Sequence, residues 1–229
     1  MCGRFVVKGS AEEFGRKFNL NQIRLTFAPR YNVAPSTNIP VIRNLAGQRV
    51  MDGLRWGLRP FWAKPDAKLP LMINARAETV TSKPAFRAAY KTRRCIIPAS
   101  GYYEWQKLPG GLKQPFYITR ADSQPIPFAG LWEEAHGEEP PTAAIITSDA
   151  NPDTSHVHDR MPVILPDGDW PQWLAPEPLG DAETARLLAS APPGSLVSYP
   201  VSTAVNAVRN DGPQLIEPID GPFPTRPAP

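Results

Sequence analysis

Cysteine is scarce in this chain of 229 residues: only Cys2 and Cys95 are present, with no C-x-x-C pair. Neither a disulfide framework nor a cysteine-rich zinc site is signalled. Histidine is scarcer than most metal sites allow. His156 and His158 are spaced to share a strand face, but the third histidine, His136, stands in the polar stretch EAHGEEP, so no metal is expected. Long apolar runs are missing as well. Nothing approaches the ~20 residues that span a bilayer. The start lacks a secretory leader, since Arg4 and Lys8 bracket only Phe-Val-Val. A soluble, cytoplasmic protein is expected. There is also no fixed-period repeat and no βαβ register with a glycine-rich turn, which argues against a dinucleotide fold. The net charge of +3 permits an anionic partner without identifying one.

Proline is abundant: 29 residues, scattered between short apolar runs. That pattern breaks helices and bounds short strands. RFVVK, NIPVIR, RVMDGLRW, RRCIIPA, YYEWQK, PFYITR, PFAGLWEEA, TAAIITS, MPVIL and SLVSYPV read as strands. Helices are few. SAEEFGRKFNL carries a capping box, Ser10 with Glu13 three residues on, and PAFRAAYK, DWPQWLA and DAETARLLAS are the other candidates. A single α+β domain over residues 2–219 is expected, built on an antiparallel, barrel-like sheet, with a proline-rich tail over 220–229.

Four stretches could carry chemistry. In MCGRF, removal of Met1 would leave Cys2 with a free amine and a thiol on one residue, although a cysteine at position 2 can also be incidental. In GYYEWQ, strand alternation puts Tyr102 and Glu104 on one face and Tyr103 and Trp105 on the other. A carboxyl set among aromatics has its pKa raised into the range useful for proton transfer. A solvent-facing glutamate on an edge strand is the plainer alternative. In HVHDRMP, either His156 or His158 could exchange protons near neutrality, or be structural beside Asp159 and Arg160. INARAET and WGLRPFWAKP offer Asn74 and Arg76 two residues apart, then Arg59, Lys64 and exposed tryptophan. Basic and aromatic residues so interleaved suit single-stranded nucleic acid, or simply anchor a core loop.

Taken in order, MCGRF, YNVAP, RWGLRPFWAK, INARAET, RRCIIPASGYYEW, HDRMPVIL and VNAVRNDGP resemble the motifs of the SRAP (SOS response-associated peptidase) family, in its compact bacterial type. The resemblance covers nearly the whole chain. It implies a monomeric sensor of abasic sites in single-stranded DNA, working on chromosomal DNA without cofactor or metal, that couples covalently to the lesion through residue 2. It places the catalytic set on Cys2, Asn74, Glu104 and His158, the last preferred over His156 by the H-x-R-M-P pattern. It places DNA contacts on Arg4, Asn32, Trp62, Arg76, Thr147 and Arg160. Autocatalytic loss of Met1 and some strand-cleaving lyase activity are also implied. Two rivals remain at this stage. One is an N-terminal-nucleophile amidohydrolase or peptidase using the Cys2 thiol; the other is a non-covalent single-stranded DNA-binding module.

Overall fold

The computed structural model describes residues 2–64, 67, 69–135 and 137–219. Met1, His136 and the proline-rich tail lie outside that set. The strands, in chain order, begin with β1 (Phe5–Val7), β2 (Gln22–Ile23), β3 (Arg30–Val33), β4 (Asn38–Leu45), β5 (Gln48–Trp56) and β6 (Asn74–Arg76). They continue with β7 (Arg94–Ala99), β8 (Gly101–Lys107), β9 (Lys113–Arg120), β10 (Ile126–Glu133), β11 (Thr142–Asp149), β12 (Arg160–Pro162) and β13 (Leu196–Pro200). Four short helices accompany them: α1 (Ala11–Lys17), α2 (Arg87–Thr92), α3 (Trp170–Leu174) and α4 (Asp181–Leu187). All ten expected strands and all four expected helices are present. The capping box of α1 forms as read, Glu13 N–H donating to Ser10 Oγ and Ser10 N–H to the Glu13 carboxylate.

The α+β architecture is built on two sheets. A five-stranded antiparallel sheet runs β13-β9-β8-β1-β3. The larger sheet runs β12-β11-β10-β7-β4-β5-β2, and a parallel pairing of β11 with β5 (Thr142 with Arg55, Ala143 with Trp56) closes its middle into a ring. That closure makes the sheet barrel-like and removes two edges. β6 adds itself in parallel beside β11, pairing Asn74 with Ile145 and Arg76 with Thr147.

The sheets pack through aromatic side chains. Phe5 of β1 meets Trp56 and Phe128 edge-on at centroid distances of 5.0 and 6.1 Å, and Tyr102 of β8 meets Phe128 at 5.9 Å. Each such ring buries 150 Å² or more, roughly 2–3 kcal/mol of hydrophobic stabilisation. The other face of the small sheet is covered by a second cluster, Val6, Tyr103, Tyr117, Val201, Val205 and Leu215. β1 and β8 are therefore buried on both faces, in the middle of the molecule.

Several prolines do not bound strands but stand inside them, at 40, 98, 115 and 127. Pro98 and Pro127 face each other across β7 and β10. Two residues without N–H can face each other only as a non-hydrogen-bonded pair, so the ladder loses nothing there.

Candidate active site

The head of the chain is threaded into the seam between the two sheets. β1 pairs with β8 (Phe5 with Tyr102), Tyr103 N–H donates to the Arg4 carbonyl at 2.9 Å, and the same register carries residue 3 alongside Glu104. Cys2 is fully buried and joins the main core cluster. From the barrel side, Asn74 Nδ2 donates to the Cys2 carbonyl at 2.9 Å. The first residues are thus gripped by their main chain, from β8 on one side and β6 on the other.

Glu104 is 3% exposed. β8 lies between β1 and β9, and its alternation puts Tyr102 with the Cys2 cluster and Tyr103 and Trp105 with the smaller one. The edge-strand alternative is therefore excluded. Burial raises the Glu104 carboxyl to about 7, so near neutrality it holds and releases a proton with equal ease.

His158 enters from the large sheet, just ahead of β12, with Nε2 4.0 Å from Glu104 Oε2. Its Nδ1 lies 3.0 Å from the Arg160 N–H and 2.8 Å from Asp159 Oδ1. A neutral ring accepts from Arg160 there and carries its proton on Nε2; a charged ring pairs Nδ1 with Asp159. Both forms direct Nε2 towards Glu104. Burial lowers the imidazole pKa and favours the neutral form. Asn151 fixes the loop, donating to the carbonyls of Ala191 and Pro192 and accepting from the Thr154 hydroxyl. Gln106 Nε2 ties it to β8 through the His156 carbonyl at 2.9 Å.

The two histidines do not share a strand face. Residues 152–157 form a run of turns, which sends His156 to Phe116 and Ser198 and only His158 to Glu104. Among the described residues no cluster of metal-ligating side chains occurs.

The expected nucleic-acid residues divide by exposure. Arg76 and Trp62 are open, Trp62 at 49% beside Phe61 at 57%. Arg4 and Asn32 are used internally. Arg4 donates to Asn32 Oδ1 at 2.7 Å and to the Val205 carbonyl, while Asn32 Nδ2 reaches the carbonyls of Val205, Ala207 and Asn210. Together they hold the VNAVRNDGP segment against the small sheet. Thr147 is fully buried, and Arg160 is held by Glu78 and Asp149 at 2.6 Å each and by the Thr147 carbonyl. The sequence points to neither Glu78 nor Asp149, and to Asp159 only as a neighbour of His158. Nothing local couples Glu78 to an arginine 82 residues away.

The model of the SOS response associated peptidase (SRAP) family matches residues 1–208. Abasic site processing protein YoqW of Bacillus subtilis is 40% identical over 222 residues, 95% of this chain and 99% of that protein. Abasic site processing protein YedK of Escherichia coli is 34% identical over 229 residues, 96% of this chain and all of that protein. A crystal structure of a protein from Bacteroides thetaiotaomicron superposes with a TM-score of 0.82 at 26% identity, covering 95% of this chain and 100% of that one. With the family model matched over nine-tenths of its length and relatives alike from end to end, this chain belongs to the SRAP family.

Proposed function

We propose that the protein processes abasic sites in single-stranded DNA by bonding covalently to them through Cys2 once Met1 is removed. One observation carries this reading: the buried main chain of Cys2 is held by Asn74 beside a carboxyl that titrates at about 7 and an imidazole 4.0 Å from it. The relatives' names supply the substrate, an abasic site.

An abasic deoxyribose is mostly a closed hemiacetal, with a small open fraction that presents an aldehyde. The amine of residue 2, with an ordinary pKa of about 7.7–8.0, is partly unprotonated at neutral pH and attacks that aldehyde, losing water to give a Schiff base. His158 in its charged form, with Nδ1 paired to Asp159, protonates the ring oxygen as the sugar opens and recovers a proton from the C1 hydroxyl as that becomes the aldehyde. Glu104 takes the proton released by the amine and returns it to the departing water. The thiol of the same residue then closes on the imine carbon to give a thiazolidine, and tethering gives this step an effective molarity of ~10⁵ M or more in well-oriented cases. Burial holds the Cys2 thiol protonated, with the Glu104 charge adding to the effect. That supports the amine as first nucleophile and disfavours the amidohydrolase reading, in which the thiol attacks first. Arg76 and Trp62 offer a cation and a ring to the strand; Arg160 reaches a phosphate by exchanging Glu78 or Asp149 for it. The Schiff base also opens a route to β-elimination, which ring closure suppresses.

The test incubates the protein with abasic and intact single-stranded oligonucleotides side by side. A heat-stable shifted band with the abasic strand alone is expected. Normal crosslinking by Cys2→Ala, or by material whose intact mass retains Met1, would sink the proposal. Ammonia release from glutamine would favour the amidohydrolase instead.

A further inference from the structure

Among the described residues, Tyr102 is a buried titratable side chain beside Cys2 to which the mechanism above assigns no part. It shares a face of β8 with Glu104, is fully buried, and packs in the same cluster as Cys2, its ring edge-on to Phe128. Its hydroxyl is shielded from solvent and has no hydrogen-bond partner at bonding geometry among the described residues. The other core tyrosines differ. Tyr103 donates to the Tyr31 carbonyl and Tyr117 to the Ser100 carbonyl. Burial pushes the Tyr102 phenol up, with neighbouring Cys2 and Glu104 adding to the effect, and the Thr154 hydroxyl beside it works the other way. The phenol therefore stays protonated and able to donate. An orphaned hydroxyl in a core is costly, and phenylalanine would fill the same space without that cost. Packing alone does not account for a tyrosine here.

We propose that Tyr102 is a positioning residue for the ring-closing step, its hydroxyl holding the Cys2 sulfur on the line of attack. The inference rests on the covalent reading of Cys2. In that step the thiol adds across the C=N bond: the S–C bond forms, the π pair of the imine passes to nitrogen, and the proton leaving sulfur ends there. Nothing departs and nothing is oxidised or reduced. Tyr102 loses no proton; its O–H donates to the sulfur as charge gathers on it. Amine attack, which precedes closure, does not involve the sulfur and is indifferent to Tyr102.

The experiment separates the two steps. Protein and abasic oligonucleotide are quenched at intervals, one portion with borohydride, which traps the imine, and one with heat, which spares the closed ring. Tyr102→Phe is expected to form the trapped imine within about twofold of the unsubstituted rate. Its heat-stable product should lag about tenfold, the order of one hydrogen bond to a charge-bearing atom. Its melting temperature should be unchanged or higher. Equal loss of both species, or no lag, overturns the proposal. If Tyr102→Phe does not fold, 3-fluorotyrosine at position 102 decides: a changed ratio of heat-stable to trapped product supports the role, and an unchanged ratio overturns it. Absence of any covalent product from the unsubstituted protein is a different result, and it overturns the reading of Cys2 together with this one.

Discussion

The two cysteines occupy very different neighbourhoods for residues that look alike by burial. Both are fully buried, and in both burial pushes the thiol well above its ordinary value. Cys95 sits within β7, its carbonyl accepting from Trp173 Nε1, its sulfur filling the space over Gly130, where an added methyl would come within 2.9 Å of it. The one charge felt there is that of Arg43. Around Cys2 stand Asn74, Glu104, Tyr102 and, across the seam, His158. Burial silences a thiol in either place. What separates the two, on the proposed reading, is an amine uncovered by loss of Met1 and a set of groups able to move its protons.

The largest expected effect comes from exchanging the two roles. Cys2→Ser should still give an imine trapped by borohydride but little heat-stable product, since an oxazolidine is the weaker ring, whereas Cys95→Ala should crosslink at full rate. Cys95→Ala should instead lose about 1–2 kcal/mol of stability, measured by denaturant titration, as its sulfur leaves a small void beside Gly130. Failure of either half would erase the contrast.

Glu104→Gln comes next, with crosslinking slowed by about 10²–10⁴. The same change should stabilise the fold at pH 8. The sign follows from a folded-state value raised from 4.5 to about 7: between those values the native state binds more protons than the unfolded chain, so stability falls as pH rises through the window. Removing the carboxyl removes that loss, on the order of 3 kcal/mol at most. Denaturant titrations of both proteins between pH 4 and 8 should show a slope for Glu and a flatter profile for Gln.

Smaller again, Asn74→Ala leaves the buried Cys2 carbonyl unpaired and should slow crosslinking about tenfold, with the melting temperature lowered by several degrees. The smallest effect belongs to Glu78→Gln. It should change non-covalent affinity for single-stranded DNA less than about threefold, because an exposed ion pair to Arg160 is weak. A fluorescence anisotropy titration at two salt concentrations reads it.

How much was legible in the sequence depends on range. Periodicity found every strand with alternating or continuous apolar character, and it missed β2, β3 and β6, which are two to four residues long and take their extended form from a neighbouring strand. Prolines inside NIPVIR and RRCIIPA do not break those strands, because whether a missing N–H matters depends on the facing residue. Within the site, the alternation of β8 places Glu104 among aromatic rings but leaves an edge strand open; its burial needs β1 and β9 on either side. Cys2 stood out by position. The separation of His156 from His158 could not be read, because it is made by a turn that Asn151 anchors to residues 191 and 192. The commitment of Arg160 to Glu78 likewise needs two strands brought together.

Asn74 grips residue 2 by its carbonyl and leaves the side chain untouched. Place and reagent are therefore separable: Asn74 holds residue 2 through a carbonyl that every amino acid carries. A serine, a threonine or a synthetic aminothiol installed at position 2 would be presented to the same carboxyl and imidazole. On the proposed reading the protein is a tool holder, and exchanging residue 2 would re-aim its chemistry without changing the group that holds it.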